Sequence, residues 1–324
     1  MIIQLSEEEQ EILEQLAAIV SVSPSSNPEQ FCFLAKYASE YIPTRIALLL
    51  REFSFRGSET GFLLIRFPPG FDDHNLPPTP LDNKSKVGET TRLARIQAII
   101  VSSISDLVAY EAEGYGRLFQ DVVPVKSMAS DQTSVGSNVE LEIHTEQAFS
   151  KLRPDILSLA CLRGDPHAMT HILPVQRIIQ NLGINEVKIA RESLWKTGVD
   201  LSFKLNGNEF LEGDVRGPLP IIHGSESDPW LTFDQDLMFG ETPEASEMIH
   251  QIVNVYYAHR ISHNLVPGEI ALIDNRRAVH GRSPFFPRYD GKDRFLTRCF
   301  GTMNYEASRF ARPDNGRVIS AIYS

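Results

Sequence analysis

Cysteine is scarce in this chain. Cys32, Cys161 and Cys299 are its three cysteines, far apart and never in a C-x-x-C pair. That excludes a disulfide framework, and the three are expected as reduced, buried thiols. Basic residues are also in deficit: 31 Lys and Arg against 42 Asp and Glu leave a net charge of −11. A nucleic-acid or anionic-membrane partner requires a basic face, so neither is expected. Long apolar runs are missing too. Ile46–Leu50 and Ala98–Val101 fall far short of the about 20 residues a membrane span needs. The start, MIIQLSEEEQ, lacks the basic beginning and apolar core of a secretory signal. These absences lead to the expectation of a cytoplasmic protein. No G-x-S-x-G elbow, G-x-G-x-x-G or P-loop occurs, so hydrolase and nucleotide-binding readings lack support.

What is present is the mix of a soluble globular chain, 42% hydrophobic and 23% charged. A length of 324 residues allows one large domain or two ordinary ones and needs no staples. The helix-rich first part, about residues 1–115, starts at Ser6-x-x-Glu9, a capping box, followed by Ile12, Leu13, Leu16 and Ile19 at helical spacing. Asn27 before Pro28 is a second helix start. Ile46 to Phe53 and Thr90 to Glu111 are also predicted helical, and Gly61–Phe67 a buried strand. From Gly116 short strand-like runs follow: Leu118–Val125, Val139–His144, Ile156–Cys161, Thr170–Leu173, Leu201–Leu205, Glu269–Asp274 and Phe295–Phe300. Helices near Val175–Leu182 and Glu244–Tyr257 interrupt them. With no repeat and no linker, the expectation is a single domain over 1–324. It is mainly β with helical additions, around a jelly-roll or barrel core at about 116–305.

The chemistry centres on VELEIHTEQAF. Residues i and i+2 of a strand share a face, so His144 and Glu146 sit together at a strand end. Two His and one carboxylate form the facial triad of non-haem Fe(II) oxygenases. A third ligand must come from a distant strand, and His280, taken as a strand-to-loop junction residue before Gly281, is the best candidate. Arg294, Leu296 and Arg298 share a later strand face. A guanidinium there fits the far carboxylate of a 2-oxoacid through two parallel hydrogen bonds. The bland alternative for Arg294 is a surface pair with Asp290 or Asp293, worth little.

LEIHTEQAF…RPDILSLACLRGD and PGEIALIDNRRAVHGRSPFFPRYDGKDRFLTR resemble the clavaminate synthase-like branch of the 2-oxoglutarate-dependent oxygenases. That branch includes hydroxylases of free arginine, asparagine and lysine. The resemblance implies a double-stranded β-helix (jelly-roll) core. It implies Fe(II), 2-oxoglutarate and O2, with His144, Glu146 and His280 as catalytic iron ligands. It assigns Arg294, assisted by Thr170, to the distal carboxylate of 2-oxoglutarate; Arg298, on the same strand face, is expected to add positive charge opposite that dianion. Asp228, in Ser227-Asp-Pro-Trp230, matches a substrate-contact position. Trp230 stands where the arginine hydroxylases carry a second Asp, which turns the expectation away from arginine. Gln120 is a further candidate for the substrate's head group. The expected partner is a small-molecule amino acid, basic (lysine-like) or amide, hydroxylated at an sp3 carbon. Cyclisation or desaturation on the same centre, a carrier-tethered aminoacyl substrate, and a non-enzymatic jelly-roll binding module are the competing readings. Loops Ser127–Asn138 and Asn206–Asp234 are expected to set specificity. The pairs His167/His171 and His259/His263 have the i, i+4 spacing of zinc ligands on a helix; neither pair is favoured. Nothing in the sequence speaks to oligomeric state.

Overall fold

The computed structural model describes residues 1–69, 76–200 and 214–323. The strand expected at 201–205 and part of the loop expected at 206–234 lie outside the described residues. The chain opens with strand β1 (Ile2–Gln4) and helices α1 (Glu7–Ile19), α2 (Pro28–Ser39) and α3 (Thr44–Arg56). The capping box forms: Glu9 N donates to Ser6 Oγ, and Ser6 N donates to the Glu9 carboxylate. Asn27 caps α2 by accepting from Gln30 N. Strand β2 (Phe62–Arg66) and helix α4 (Arg92–Ser102) follow.

The helix expected over Thr90–Glu111 therefore stops early, and its last part is strand β3 (Asp106–Tyr110). Leu107, Val108, Ala109 and Tyr110 are all buried. Pairing on both edges makes this stretch a strand: Val108 stands opposite Phe300 of an antiparallel neighbour, and Ala109 beside Val318 of a parallel one.

The other strands are β4 (Phe119–Val122), β5 (Leu141–His144), β6 (Ile156–Arg163), β7 (Met169–Pro174), β8 (Trp195–Gly198), β9 (Val215–Leu219), β10 (Ile222–Gly224), β11 (Pro229–Leu231), β12 (Met238–Gly240), β13 (Ile261–Asn264), β14 (Glu269–Asp274), β15 (Ala278–Arg282), β16 (Phe295–Thr302) and β17 (Val318–Ile319). Helices α5 (Val175–Asn181), α6 (Ile184–Ala190) and α7 (Pro243–His259) interrupt them.

Two sheets position the site. The larger, of eight strands, runs β1-β2-β14-β6-β16-β3-β17, with β4 paired to β16. The smaller runs β13-β7-β15-β5 and is antiparallel throughout. The period of two along each strand sorts the core. Leu157, Leu159 and Cys161 of β6 meet Ile172 and Ala278 of the smaller sheet. Ile156, Ala160 and Leu162 of the same strand pack instead with Leu13, Phe31 and Ile96 of the N-terminal helices. Behind the smaller sheet, Ile143, Leu173 and Val279 pack on Ile249 and Ile252 of α7. The layers are thus helices, large sheet, small sheet, helices. Each buried Leu, Ile or Phe contributes roughly 1.5–3 kcal/mol to holding them. His280, expected at a strand-to-loop junction, lies inside β15. All three cysteines are buried and free, and no helix among the described residues is long and apolar enough to cross a membrane.

Candidate metal centre and its two cavities

β5 and β15 are antiparallel neighbours, and His144 stands directly opposite His280. Ile143 and Val279 point away, into the α7 cluster, so alternation turns both imidazoles toward the space between the sheets. Their ring centroids are 4.5 Å apart. Glu146 follows β5 and is held by its backbone, which bonds the Asn275 side chain. One ligand atom each from His144, Glu146 and His280 lies within 4.8 Å of the others.

The donor set fits a divalent metal. His144 Nδ1 lies 2.8 Å from the Glu142 carbonyl. A carbonyl only accepts, so Nδ1 carries the proton and Nε2 is left with its lone pair for a metal. Glu146 Oε1 accepts from Arg298 Nη1 at 3.1 Å, whereas Oε2 is buried without a hydrogen bond, 3.4 Å from His280 Nε2. Burial works against the Glu146 charge, but Arg298, His280 and His144 outweigh it and hold the carboxyl below its usual range. Burial, then the adjacent His144, lowers the pKa of His280. A neutral imidazole and an ionised carboxylate are the forms that bind metal.

Two cavities meet at this centre. The narrower, of about 50 Å³, is lined by Thr170, His280, Arg282, Arg294 and Arg298 among others. Arg294 is buried and, among the described residues, has no hydrogen-bond or ion-pair partner; its guanidinium lies 5.8 Å from the Phe285 ring. Burial brings it down to about 10. Thr170 Oγ1 is likewise buried and unpartnered. An unpaired guanidinium beside an unpaired hydroxyl suits a carboxylate. The surface pair with Asp290 or Asp293 does not form: Asp293 accepts from Arg288 N and Tyr289 N, and Asp290 pairs with Arg288.

The wider cavity, of about 210 Å³, is lined by Glu113, Gln120, Glu142, Asp200, Asp234, Asp236 and Arg298 among others. Arg298 is shared between Glu113, Glu146 and Gln120. Gln120 Nε2 faces no partner. Burial raises Glu113 to about 8, against the pull of Arg298. Burial likewise raises Asp234 to about 6, opposed by His144.

Two expected substrate contacts are elsewhere. Asp228 is gripped by Arg277, whose Nε and Nη2 donate at 2.7 and 3.0 Å, and Trp230 Nε1 donates to the same carboxylate. The Arg276 guanidinium also lies over the Trp230 ring, and His223 meets that ring edge-to-face. Neither residue lines either cavity. The β14–β15 turn supplies both arginines, so in this structure the Ser-Asp-Pro segment is tied to that turn. Arg298, expected to serve the co-substrate, has its guanidinium committed to Glu113, Gln120 and Glu146. No helical zinc pair forms: His171 lies on β7 and bonds Ser262, and His263 lies on β13 and bonds Glu269. Glu113, Asp200 and Asp234 went unseen in the sequence. The D-Q-D spacing at 234–236 was the one available signal.

A buried His-Glu-His cluster between two sheets, beside an unpaired arginine, defines a mononuclear oxygenase centre. Comparisons agree. Residues 221–300 match the family described as Taurine catabolism dioxygenase TauD, TfdA family. The chain is 47% identical to the L-lysine 3-hydroxylase of Catenulispora acidiphila, over 100% of this chain and 90% of that one. It is 31% identical to clavaminate synthase 2 of Streptomyces clavuligerus, over 88% and 87%. The solved structure of asparagine oxygenase with Fe(II), (2S,3S)-3-hydroxyasparagine and succinate superposes with a TM-score of 0.90 at 31% identity, covering 98% and 99%. The chain belongs to the clavaminate synthase-like family of Fe(II)/2-oxoglutarate-dependent oxygenases.

Proposed function

We propose that this enzyme hydroxylates an sp3 carbon of a small free L-amino acid with a cationic side chain, L-lysine first among them. One observation carries the reading: the wider cavity is walled by Glu113, Glu142, Asp200, Asp234 and Asp236. Its one Lys or Arg among the described lining residues, Arg298, is already paired. An ammonium entering this cavity meets carboxyl groups on several sides, and its charge draws the burial-raised Glu113 and Asp234 toward their ionised forms. The 47% identity to an L-lysine 3-hydroxylase supports the same substrate.

His144, Glu146 and His280 are the proposed ligands of Fe(II), which, with 2-oxoglutarate and O2, supplies the oxidising power and yields succinate and CO2. Arg294 and Thr170 take the far carboxylate of 2-oxoglutarate. Arg298 and Gln120 Nε2 face the amino-acid head group, and the acidic wall faces its cationic end. Held at both ends, the substrate presents one carbon to the metal; that orientation is the protein's contribution. Met128, Val135, Phe149 and Leu237 line the same cavity and offer apolar surface to the substrate's methylene groups. The two sheets are read as a double-stranded β-helix, within one domain over 1–324; the core clusters that join both sheets to the N-terminal helices support this.

The test is a screen of lysine, arginine, ornithine, citrulline, asparagine and glutamine with Fe(II) and 2-oxoglutarate, read by succinate and product mass. Lysine is expected to gain one oxygen. Turnover of none of the six, or a product lighter by two hydrogens, overturns the proposal.

A further inference from the structure

We propose that Arg282 links the two cavities, so that 2-oxoglutarate binding tightens the 127–138 segment that walls the substrate cavity. This rests on the reading of Arg294 as the co-substrate anchor.

Arg282 ends β15, two residues after His280, and lines the narrow cavity with Arg294 and Thr170. It is 4% exposed. Among the described residues no carboxylate pairs with it. Its donors reach three carbonyls instead: Ser283 O at 3.2 Å, and Ser134 O and Val139 O at 3.3 Å each. Those lengths are at the weak end for a charged donor. The Phe285 ring lies 5.1 Å from the Arg282 guanidinium and 5.8 Å from that of Arg294. Phe285 N donates to Ser137 O at 2.9 Å. The segment from Ser134 to Val139 is therefore fastened at three points to the stretch that carries Arg282 and Phe285.

The same segment faces the other way into the substrate cavity. Met128, Gln132, Thr133, Ser134 and Val135 line it. Gln132 Oε1 accepts from Glu142 N, on the strand that carries His144. Ser134 lines both cavities. Two buried guanidiniums sharing one ring repel each other, and a dianion arriving at Arg294 removes that repulsion. Arg282 then settles more firmly on its carbonyl acceptors and holds the segment they belong to. A ligand that favours the fastened state must, by linkage, raise affinity for anything else that favours it. The amino acid in the adjoining cavity does so, and 2-oxoglutarate gains by the same factor when the amino acid is present. Arg282 acts here as a positioning residue.

The test uses the full chain loaded with Mn(II) under anaerobic conditions, with 2-oxoglutarate as the probe. Hydrogen exchange of 127–138 is followed with and without it, for wild type, Arg282→Lys, Arg282→Gln and Phe285→Leu. In wild type, exchange is expected to slow about fivefold or more, the lower range of ordinary coupling. Arg282→Lys keeps part of the response and Arg282→Gln loses it, both read at 2-oxoglutarate concentrations that saturate each variant. Phe285→Leu, which leaves both guanidiniums in place, weakens it and serves if Arg282→Gln does not fold. Unchanged exchange in wild type, or a full response in both the glutamine and leucine variants, overturns the coupling. Titration of Arg294→Gln separates the two claims: wild-type affinity there sinks the anchor itself, whereas lost affinity there together with a silent segment in wild type sinks only the coupling.

Discussion

Asn275 grips the backbone of Glu146 from both sides: its Oδ1 accepts from Glu146 N at 2.7 Å, and its Nδ2 donates to Glu146 O at 3.1 Å. The same Nδ2 donates to Pro154 O at 2.8 Å. Asn275 lies in the turn between β14 and β15, where the chain crosses from the larger sheet to the smaller, so the connection that leads to His280 also places the carboxylate beside it. Asn275→Asp removes the donor and leaves two buried carbonyls facing a carboxylate. The expected loss is about 2–4 kcal/mol of stability and about 10–100-fold in metal affinity. Denaturant melts and Fe(II) titration measure both; wild-type iron affinity in a folded variant would refute the clamp.

Asp234 tests the acidic wall. Its Oδ1 accepts from Asp236 N and Leu237 N, and an asparagine oxygen can do the same. Asp234→Asn therefore keeps the turn and deletes the charge. KM for lysine is expected to rise tenfold or more, about 1.4 kcal/mol, with kcat changed less. Steady-state kinetics decide it, and an unchanged KM counts against a cationic substrate.

For Asp228 the expectation runs the other way. The carboxylate is partly exposed and binds Arg277, so Asp228→Asn should weaken folding by about 1–2 kcal/mol after allowance for solvent. KM for the amino acid should not move. A large KM change at full stability would return this residue to the substrate.

Asp121 supplies a pH signature. It is buried on β4 and lines the wider cavity, where its Oδ1 accepts from Gly88 N and its Oδ2 has no partner. Burial raises its pKa from 3.8 to about 6. Between those values the folded chain holds a proton that the unfolded chain has lost, so this residue lowers stability as pH rises through that window. Above about 6 the penalty is constant, at most about 3 kcal/mol. Asp121→Asn should gain on wild type across that window and keep the advantage at pH 7. Thermal melts at pH 4, 5, 6 and 7 measure the gap; a gap that is constant over this range excludes the titration.

What the sequence made legible was local or periodic. The alternation before His144, the buried run Glu269–Asp274 and the capping box at Ser6 each depend on neighbouring residues, and each forms. The pairing of Asp228 was not legible because its partner, Arg277, is 49 positions away, and a surface-style Ser-Asp-Pro segment does not announce a buried arginine. The stretch after Ser102 misled because Ile104, Leu107 and Val108 keep helical spacing, while pairing on both edges within the large sheet makes it β3. Glu113 and Asp200 carry no local pattern at all. Single acids in loops become a wall only when the fold brings them around one cavity.

The pairing of His144 with His280 across β5 and β15 ties metal binding to sheet register. Side chains alternate between faces, so a slip of one residue would bring Ile143 or Val279 into the space between the sheets and turn an imidazole toward α7. The pair is irregular just beyond His280, between it and Arg282, which makes the ligand position the last regular point of the match. A chain that collapsed with these strands one residue out of step would drive His280 and Arg282 into the apolar α7 cluster and take the imidazoles away from Glu146. Iron binding thus depends on two strands 136 residues apart in sequence meeting in the one alignment that works.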